Sequence, residues 1–565
     1  MAAGTRTVPR PRPPGEAQAR PSAAPRALAA VPLLAILVVQ VILSARLLHV
    51  FSAASGDESL YIYAGHQEVY ELFHGGGSPY YEDWFSGSPV IYPVLAAMAD
   101  HVGGLLLVRV MSMAFMLAAT VALYATTRRL FGYWPAVTAA GLFTALGITQ
   151  GLGVLATYDA LALALMAVSA YCAVRAGDSG ARWLLVVPPA LLVANATSYA
   201  TLLFDPVVIG LAALMLHGAG WRRMVQRAVS LAVATVIALA LAVVLAGTAY
   251  MHGAEFTTFS RSAGAAGEEY GWPAATPWQV VQLSWTALGL IACLGFAALA
   301  VALLLERRRS LLALLALLAV AGTLVTIVNM KLSSAISLAK HDDFGAWFSC
   351  IAAGYALGRG AELARTWRWK VPVIGVSVAV AVLAGVLYAD QANITGGVTS
   401  ASLRVHARQE QGAIAARMQT FSDLKPFLQL SHGGRYLLAG TLNAQLIYNE
   451  HLNVHWWQYA NDSYFKYPVP GLGGNAAGTS KGVYLYGTPA YAAATRAHWF
   501  AVISMIGNYH NANDAAILAA VKSTPGYVLL TTQGGAPTYI WAPDYSDWQR
   551  ADSSWCYVRR PHGRS

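Results

Sequence analysis

The sequence predicts a polytopic α-helical membrane protein with a C-terminal extracytoplasmic α/β domain. Three observations predict it. Hydrophobic residues make up 56% of the 565-residue chain and charged residues only 11%, with a mean hydropathy of +0.48; soluble domains carry about 25% charged residues. Apolar runs of spanning length recur up to about residue 390 and then stop. Basic clusters fall between alternate runs, as the positive-inside rule requires.

The first 27 residues are rich in Pro, Ala and Arg and poor in core formers, which reads as a disordered basic tail on the cytoplasmic side. The run near 28–50 is too long for a signal peptide and is read as a retained first span. Further runs follow near 102–125, 133–151, 157–175, 182–199, 201–218, 228–250, 279–305, 310–330, 343–358 and 371–389. Counted together these are about eleven spans, and eleven puts every Arg cluster inside. Those clusters are the N-terminal arginines, Arg128-Arg129, Arg175 with Arg182, Arg222-Arg223 with Arg227, Arg307 through Arg309, and Arg359 through Lys370. The transmembrane domain is therefore 28–390, with a first outer loop at 51–101, and 391–565 lie outside a plasma membrane that the chain crosses many times.

In that last region "RYLLAG", "YVLLTT" and "PTYIWAP" read as short strands and "NDAAILAAVKST" as a capped helix. The four cysteines show no disulfide framework or metal spacing. The net charge of +10 sits in clusters between apolar runs, not on one soluble face, so no nucleic-acid partner is expected; the partner is the lipid bilayer.

On this topology the outer side gathers the ionisable residues. The first outer loop opens with Asp57 and Glu58 and later carries Glu82 and Asp83. Asp159 stands at the outer end of the fourth span, and Arg261, Glu268 and Glu269 lie in the loop 251–278. Lys340, His341, Asp342 and Asp343 precede a late span. Taken singly, Asp159 also reads as a helix N-cap and Asp57-Glu58 as loop solvation. Taken together, carboxylates and cations on one side of a bundle point to a lined cavity or a substrate. "HGGGSP" lies in a loop, not between strand and helix, and is no phosphate motif. A transporter or lipid flippase with an outer glycan-binding domain is the alternative, but it would show internal repeats and polar groups at mid-bilayer.

The ordered set of motifs resembles the GT-C glycosyltransferases, in the family 39-like group of protein O-mannosyltransferases and the lipid A aminoarabinose transferase. "SGDESLYIYAG" is similar to that group's acidic motif after the first span, and "GSPVIYPVLAAMADHVGG" to its Pro-containing approach to the second. "ATYDALALAL" and "SLAKHDDFGAW" resemble its second Asp and its late basic pair. Two features depart: Ser88-Pro89 replaces a twin proline, and no MIR-type segment is present. The resemblance implies a polyprenyl-phosphate-linked sugar donor, inverting transfer, and a glycan, lipid or protein acceptor. It makes Asp57 the base, with Glu58 holding a hydroxyl or orienting Asp57, and gives Asp159 to an acceptor or a metal. Lys340, His341 and Arg261 become the donor-phosphate cations. It requires no cofactor, although carboxylates of this kind are also divalent-cation ligands.

Overall fold

Helices arise where the sequence is apolar, and they break where Pro and Gly punctuate it. The computed structural model describes residues 23–48, 53–74, 85–216, 220–246, 275–334 and 338–366. In the C-terminal region it describes 436–438, 447–449, 459–461, 495–496, 498, 502–504, 512–531 and 538–541. The helical part comprises α1 (Ala23–Leu48), α2 (Gly56–His74), α3 (Tyr92–Phe131), α4 (Tyr133–Ala145), α5 (Gly147–Leu152), α6 (Asp159–Ser179), α7 (Val187–Thr197) and α8 (Asp205–Leu214). It continues with α9 (Trp221–Ala246), α10 (Pro277–Leu305), α11 (Arg309–Ala321), α12 (Leu324–Leu332) and α13 (Leu338–Thr366).

Among the described residues five helices are long and apolar enough to cross a membrane: α1, α3, α6, α9 and α10. The pair α11 and α12, bent by 43°, adds a sixth if taken as one span. The expected runs at 133–151, 182–199 and 201–218 are helical but interrupted. Leu146 is extended between α4 and α5. Short 3-10 turns, Ala181–Val186 and Tyr199–Phe204, precede α7 and α8, whose prolines sit in the first turn where a missing N–H costs nothing. The break around Ser198 is closed by side chains: Asn195 Nδ2 donates to Asp205 Oδ2 at 2.8 Å, and Thr201 Oγ1 to Asn195 Oδ1 at 2.7 Å. The expected run at 371–389 lies outside the described residues.

The segment expected as a first outer loop is largely helical. It forms α2 and the opening of α3, and α3 kinks where Gly103 (φ −143°, ψ 18°) and Gly104 (φ +63°, ψ −168°) leave helical geometry. The left-handed φ of Gly104 is one that a residue with Cβ adopts only with strain. The kink coincides with the start of the apolar run read from the sequence at 102, so residues 92–102 and 105–131 are two helices in different directions.

Helix α13 packs along α10 and α4, and α3 along α6 and α2. Trp347, Phe344, Phe348, Phe204 and Phe143 are fully buried in the shared core. The Trp347 indole donates to the Ala119 carbonyl at 3.0 Å, and Phe204 stacks on Phe348 at 5.6 Å between ring centres. By contrast α1 and α9 turn Leu34, Val38, Val233, Ile237 and Leu241 outward, as helices facing lipid do.

In the C-terminal region β1 (Tyr436–Leu438), β2 (Tyr459–Asn461), β3 (Val502–Ser504), β4 (Tyr527–Thr531) and β5 (Thr538–Trp541) form one sheet in the order β2-β1-β3-β5-β4. β1 runs parallel to β2 and β3, while β5 is antiparallel to β3 and β4. The helix α14 (Ala512–Ser523) leads into β4. All three strands and the helix read from the sequence are present; β2 and β3, three residues each, were not expected.

Close backbone approach between α2 and α3 depends on Gly65, where an added Cβ would stand 1.8 Å from the Pro93 carbonyl oxygen. Gly65→Ala is expected to cost about 1–3 kcal/mol by overpacking, read as a lower unfolding temperature in detergent. Gly141→Ala, with nothing within 4 Å of the new methyl, is the control and should match wild type.

Candidate active site

The stretch Ser55-Gly56-Asp57-Glu58 has the S-x-x-E spacing of a helix start, and it opens α2. Glu58 completes part of that pattern by accepting from the Ser55 N–H at 2.8 Å. Its carboxylate has no exposed surface. Arg109 of α3 donates Nε to Oε1 at 2.8 Å and Nη2 to Oε2 at 2.9 Å, and the Ala156 N–H donates to Oε1 at 2.8 Å. Arg109 Nη2 also reaches the Ala53 carbonyl at 3.0 Å. A two-point guanidinium–carboxylate pair of this kind is strong because both charges are desolvated and geometrically matched. It ties three elements together: the turn before α2, the middle of α3, and the turn before α6.

Successive helical residues point about 100° apart, so with Glu58 turned inward Asp57 turns out. Its side chain is 49% exposed and accepts from Lys340 Nζ of α13, 283 residues away. Beside this pair, Asp159, the first residue of α6, is 1% exposed, and its Oδ1 lies 3.6 Å from His341 Nε2. Lys340 and His341 are therefore consecutive residues at one helix start that face carboxylates from two other helices. Burial works against the Lys340 ammonium, but the charges of Asp57 and Asp159 outweigh it and hold its pKa above the ordinary lysine range.

An aromatic wall backs the site. The Tyr61 ring lies 4.8 Å from Tyr158, 5.0 Å from Phe85 and 6.4 Å from Tyr92. Burial, then Tyr158 and the carboxylates of Asp57 and Asp159, hold the Tyr61 phenol well above its ordinary range, so it stays neutral. One turn further into α13, Thr149 Oγ1 donates to Asp343 Oδ1 at 2.7 Å, and Asp342 is buried beside it.

Of the residues singled out in the sequence, Asp57, Asp159, Lys340 and His341 come together. Glu58 adjoins them but faces away, with its acceptors filled by protein donors. Arg261 lies outside the described residues, as do Glu82, Asp83, Glu268 and Glu269. Arg109 was missed; the signal that could have found it is an arginine inside an apolar run, which demands a buried partner. A cavity of about 390 Å³ lined by Arg129, Arg308, Tyr355 and Arg359 lies at the other end of these helices, away from the site.

Among the described residues no three His, Cys, Asp or Glu side chains converge as a metal-holding group. Asp57 faces the Lys340 ammonium and Asp159 the His341 imidazole.

Removing one partner of a buried ion pair strands the other. Arg109→Ala is expected to lose about 3–5 kcal/mol of stability, seen as a drop in unfolding temperature and folded yield. The double variant Glu58→Gln/Arg109→Met should recover part of that loss. A wild-type melting temperature for Arg109→Ala would show that the pair does not hold the loop.

Comparison with known proteins bears on the fold. Residues 89–246, less than half of the chain, match the family described as dolichyl-phosphate-mannose-protein mannosyltransferase. No curated protein sequence matches the chain significantly. The fold is similar to ArnT from Cupriavidus metallidurans bound to undecaprenyl phosphate, at 13% identity and a TM-score of 0.51, covering 92% of this chain and 98% of that one. It is also similar to the oligosaccharyltransferase AglB from Archaeoglobus fulgidus in complex with an inhibitory peptide and a dolichol-phosphate. There the identity is 12% and the TM-score 0.51, covering 92% of this chain and 75% of that one. The chain therefore has the GT-C fold of polytopic membrane glycosyltransferases, the fold that the sequence resemblance implies.

Proposed function

We propose that the chain transfers a sugar from a polyprenyl-phosphate carrier to an acceptor hydroxyl, with inversion at the anomeric carbon. The observation that carries this reading is the meeting of Asp57 with Lys340 and of Asp159 with His341, two couples side by side at the starts of α2, α6 and α13. The matched mannosyltransferase family and the lipid phosphates held by the two similar structures support it.

An acceptor hydroxyl is a weak nucleophile at neutral pH, and a half-exposed carboxylate can take its proton as it attacks. As the acceptor oxygen bonds to the anomeric carbon, the bond from that carbon to the phosphate oxygen breaks. The electron pair stays on the polyprenyl phosphate, and the acceptor proton passes to Asp57. The leaving phosphate gains negative charge, which fixed cations stabilise. Lys340 and His341 fill that role: when the donor phosphate takes the Lys340 ammonium, the Asp57 carboxylate is freed for the acceptor. Asp159 holds His341 in place or receives an acceptor hydroxyl. Glu58 acts through Arg109 by orienting Asp57. The scheme uses no cofactor.

The proposed setting is the plasma membrane, crossed many times, with the N-terminus cytoplasmic and the site and C-terminal domain on the outer side. The placement of charge supports it. From Lys340 to Arg359 along α13 is roughly 28 Å at 1.5 Å per residue, and α3 and α6 likewise carry Arg128-Arg129 and Arg175 toward the ends away from the site.

Radiolabelled mannosyl- and aminoarabinosyl-polyprenyl phosphates supplied to membranes test the reading. Asp57→Asn should lower transfer by about 10²–10⁴-fold, and Lys340→Met by about 10²–10³-fold, at normal protein levels. Wild-type transfer by Asp57→Asn would remove Asp57 as the base.

A further inference from the structure

The C-terminal region reaches the site through one helical turn, 447–449, whose Ile447 is buried. The Asn449 carboxamide pairs with both backbone groups of Ala54: Oδ1 accepts from the Ala54 N–H at 2.9 Å, and Nδ2 donates to the Ala54 carbonyl at 3.1 Å. This two-point bond joins residues 395 apart in sequence and mimics the pairing of a neighbouring strand. Ala54 is fully buried and lies three residues before Asp57. Next in the same turn, the Tyr448 hydroxyl donates to Asp100 Oδ1, while Asp100 Oδ2 faces His66 Nε2 of α2 at 2.7 Å. The Tyr448 ring packs against the cluster of Tyr61, Tyr92 and Tyr158. The turn thus grips the α2–α3 hairpin at two points, the backbone ahead of Asp57 and the polar pair on its far side.

We propose that Asn449 and Tyr448 are positioning residues: the C-terminal domain fixes the segment 53–58 from one side as Arg109 fixes it from the other, and so sets where Asp57 stands against Lys340. The inference rests on Asp57 being the base. Neither residue touches the reacting atoms. An unclamped segment would keep its acid but lose its aim, and a misplacement of about 1 Å can cost about 10²-fold in rate.

The test uses the full-length chain in nanodiscs with two readouts. Hydrogen–deuterium exchange over a peptide spanning 53–60 should rise in Asn449→Ala and stay unchanged over the α13 core. In the transfer assay Asn449→Ala should lower kcat by about 10- to 100-fold while the donor KM stays within about twofold. Tyr448→Phe, which keeps the ring and loses the hydroxyl, should show a smaller change in the same direction. Unchanged exchange in Asn449→Ala overturns the clamp. Raised exchange with wild-type kcat overturns its positioning role, as does a rise in KM alone, which is the signature of a binding contact. If wild type transfers sugar from neither donor, the sugar-transfer reading fails, and the positioning role falls with it; the exchange data then still decide separately whether the contact exists.

Discussion

The buried pair of Glu58 and Arg109 is the constraint on which the site depends. Taking a carboxylate and a guanidinium out of water costs several kcal/mol per ion, and their attraction repays that only with good geometry and satisfied hydrogen bonds. Here the carboxylate accepts from Arg109 twice and from the backbone of Ser55 and Ala156, and the guanidinium reaches Ala53 as well. Once Glu58 is committed inward, the helical geometry of α2 leaves Asp57 little choice of direction. The same pair carries a bond to the turn before Asp159, so both acids of the site are referenced to one interaction.

The surrounding architecture supplies position more than chemistry. Three helices begin at the site, which brings short side chains to one place without long loops. Small residues let these helices approach: Gly354 of α13 sits against the Pro135 carbonyl, where a Cβ would stand at 2.5 Å, and Gly65 does the same between α2 and α3. The stacked aromatics Phe204 and Phe348 and the buried Trp347 fill what the small residues leave. Rigidity near the carboxylates keeps preorganised charges from having to reorganise during a reaction.

The legible part of the molecule was the part where physics punishes error. Charged residues at the ends of apolar runs are rare enough to notice, and Asp57, Asp159, Lys340 and His341 were found that way. Arg109 is hidden because one arginine scarcely alters the hydropathy of a 40-residue helix, although a buried arginine must find a partner. Adjacency in sequence places Glu58 beside Asp57, whereas the step of about 100° around a helix that turns them apart is not visible there. The helix over 56–74 does not stand out in the sequence, since its polar and aromatic residues lack the continuous apolar run that marks a span. Strands of three residues, such as β2 and β3, carry no periodicity to read. The contact of Asn449 with Ala54 spans 395 positions, and no local pattern announces it.

Lys340 and His341 sit next to each other on α13, and each answers to a different helix. A turn of α13 about its own axis therefore moves both couples at once. What looks like four separate side chains has, mechanically, one dial.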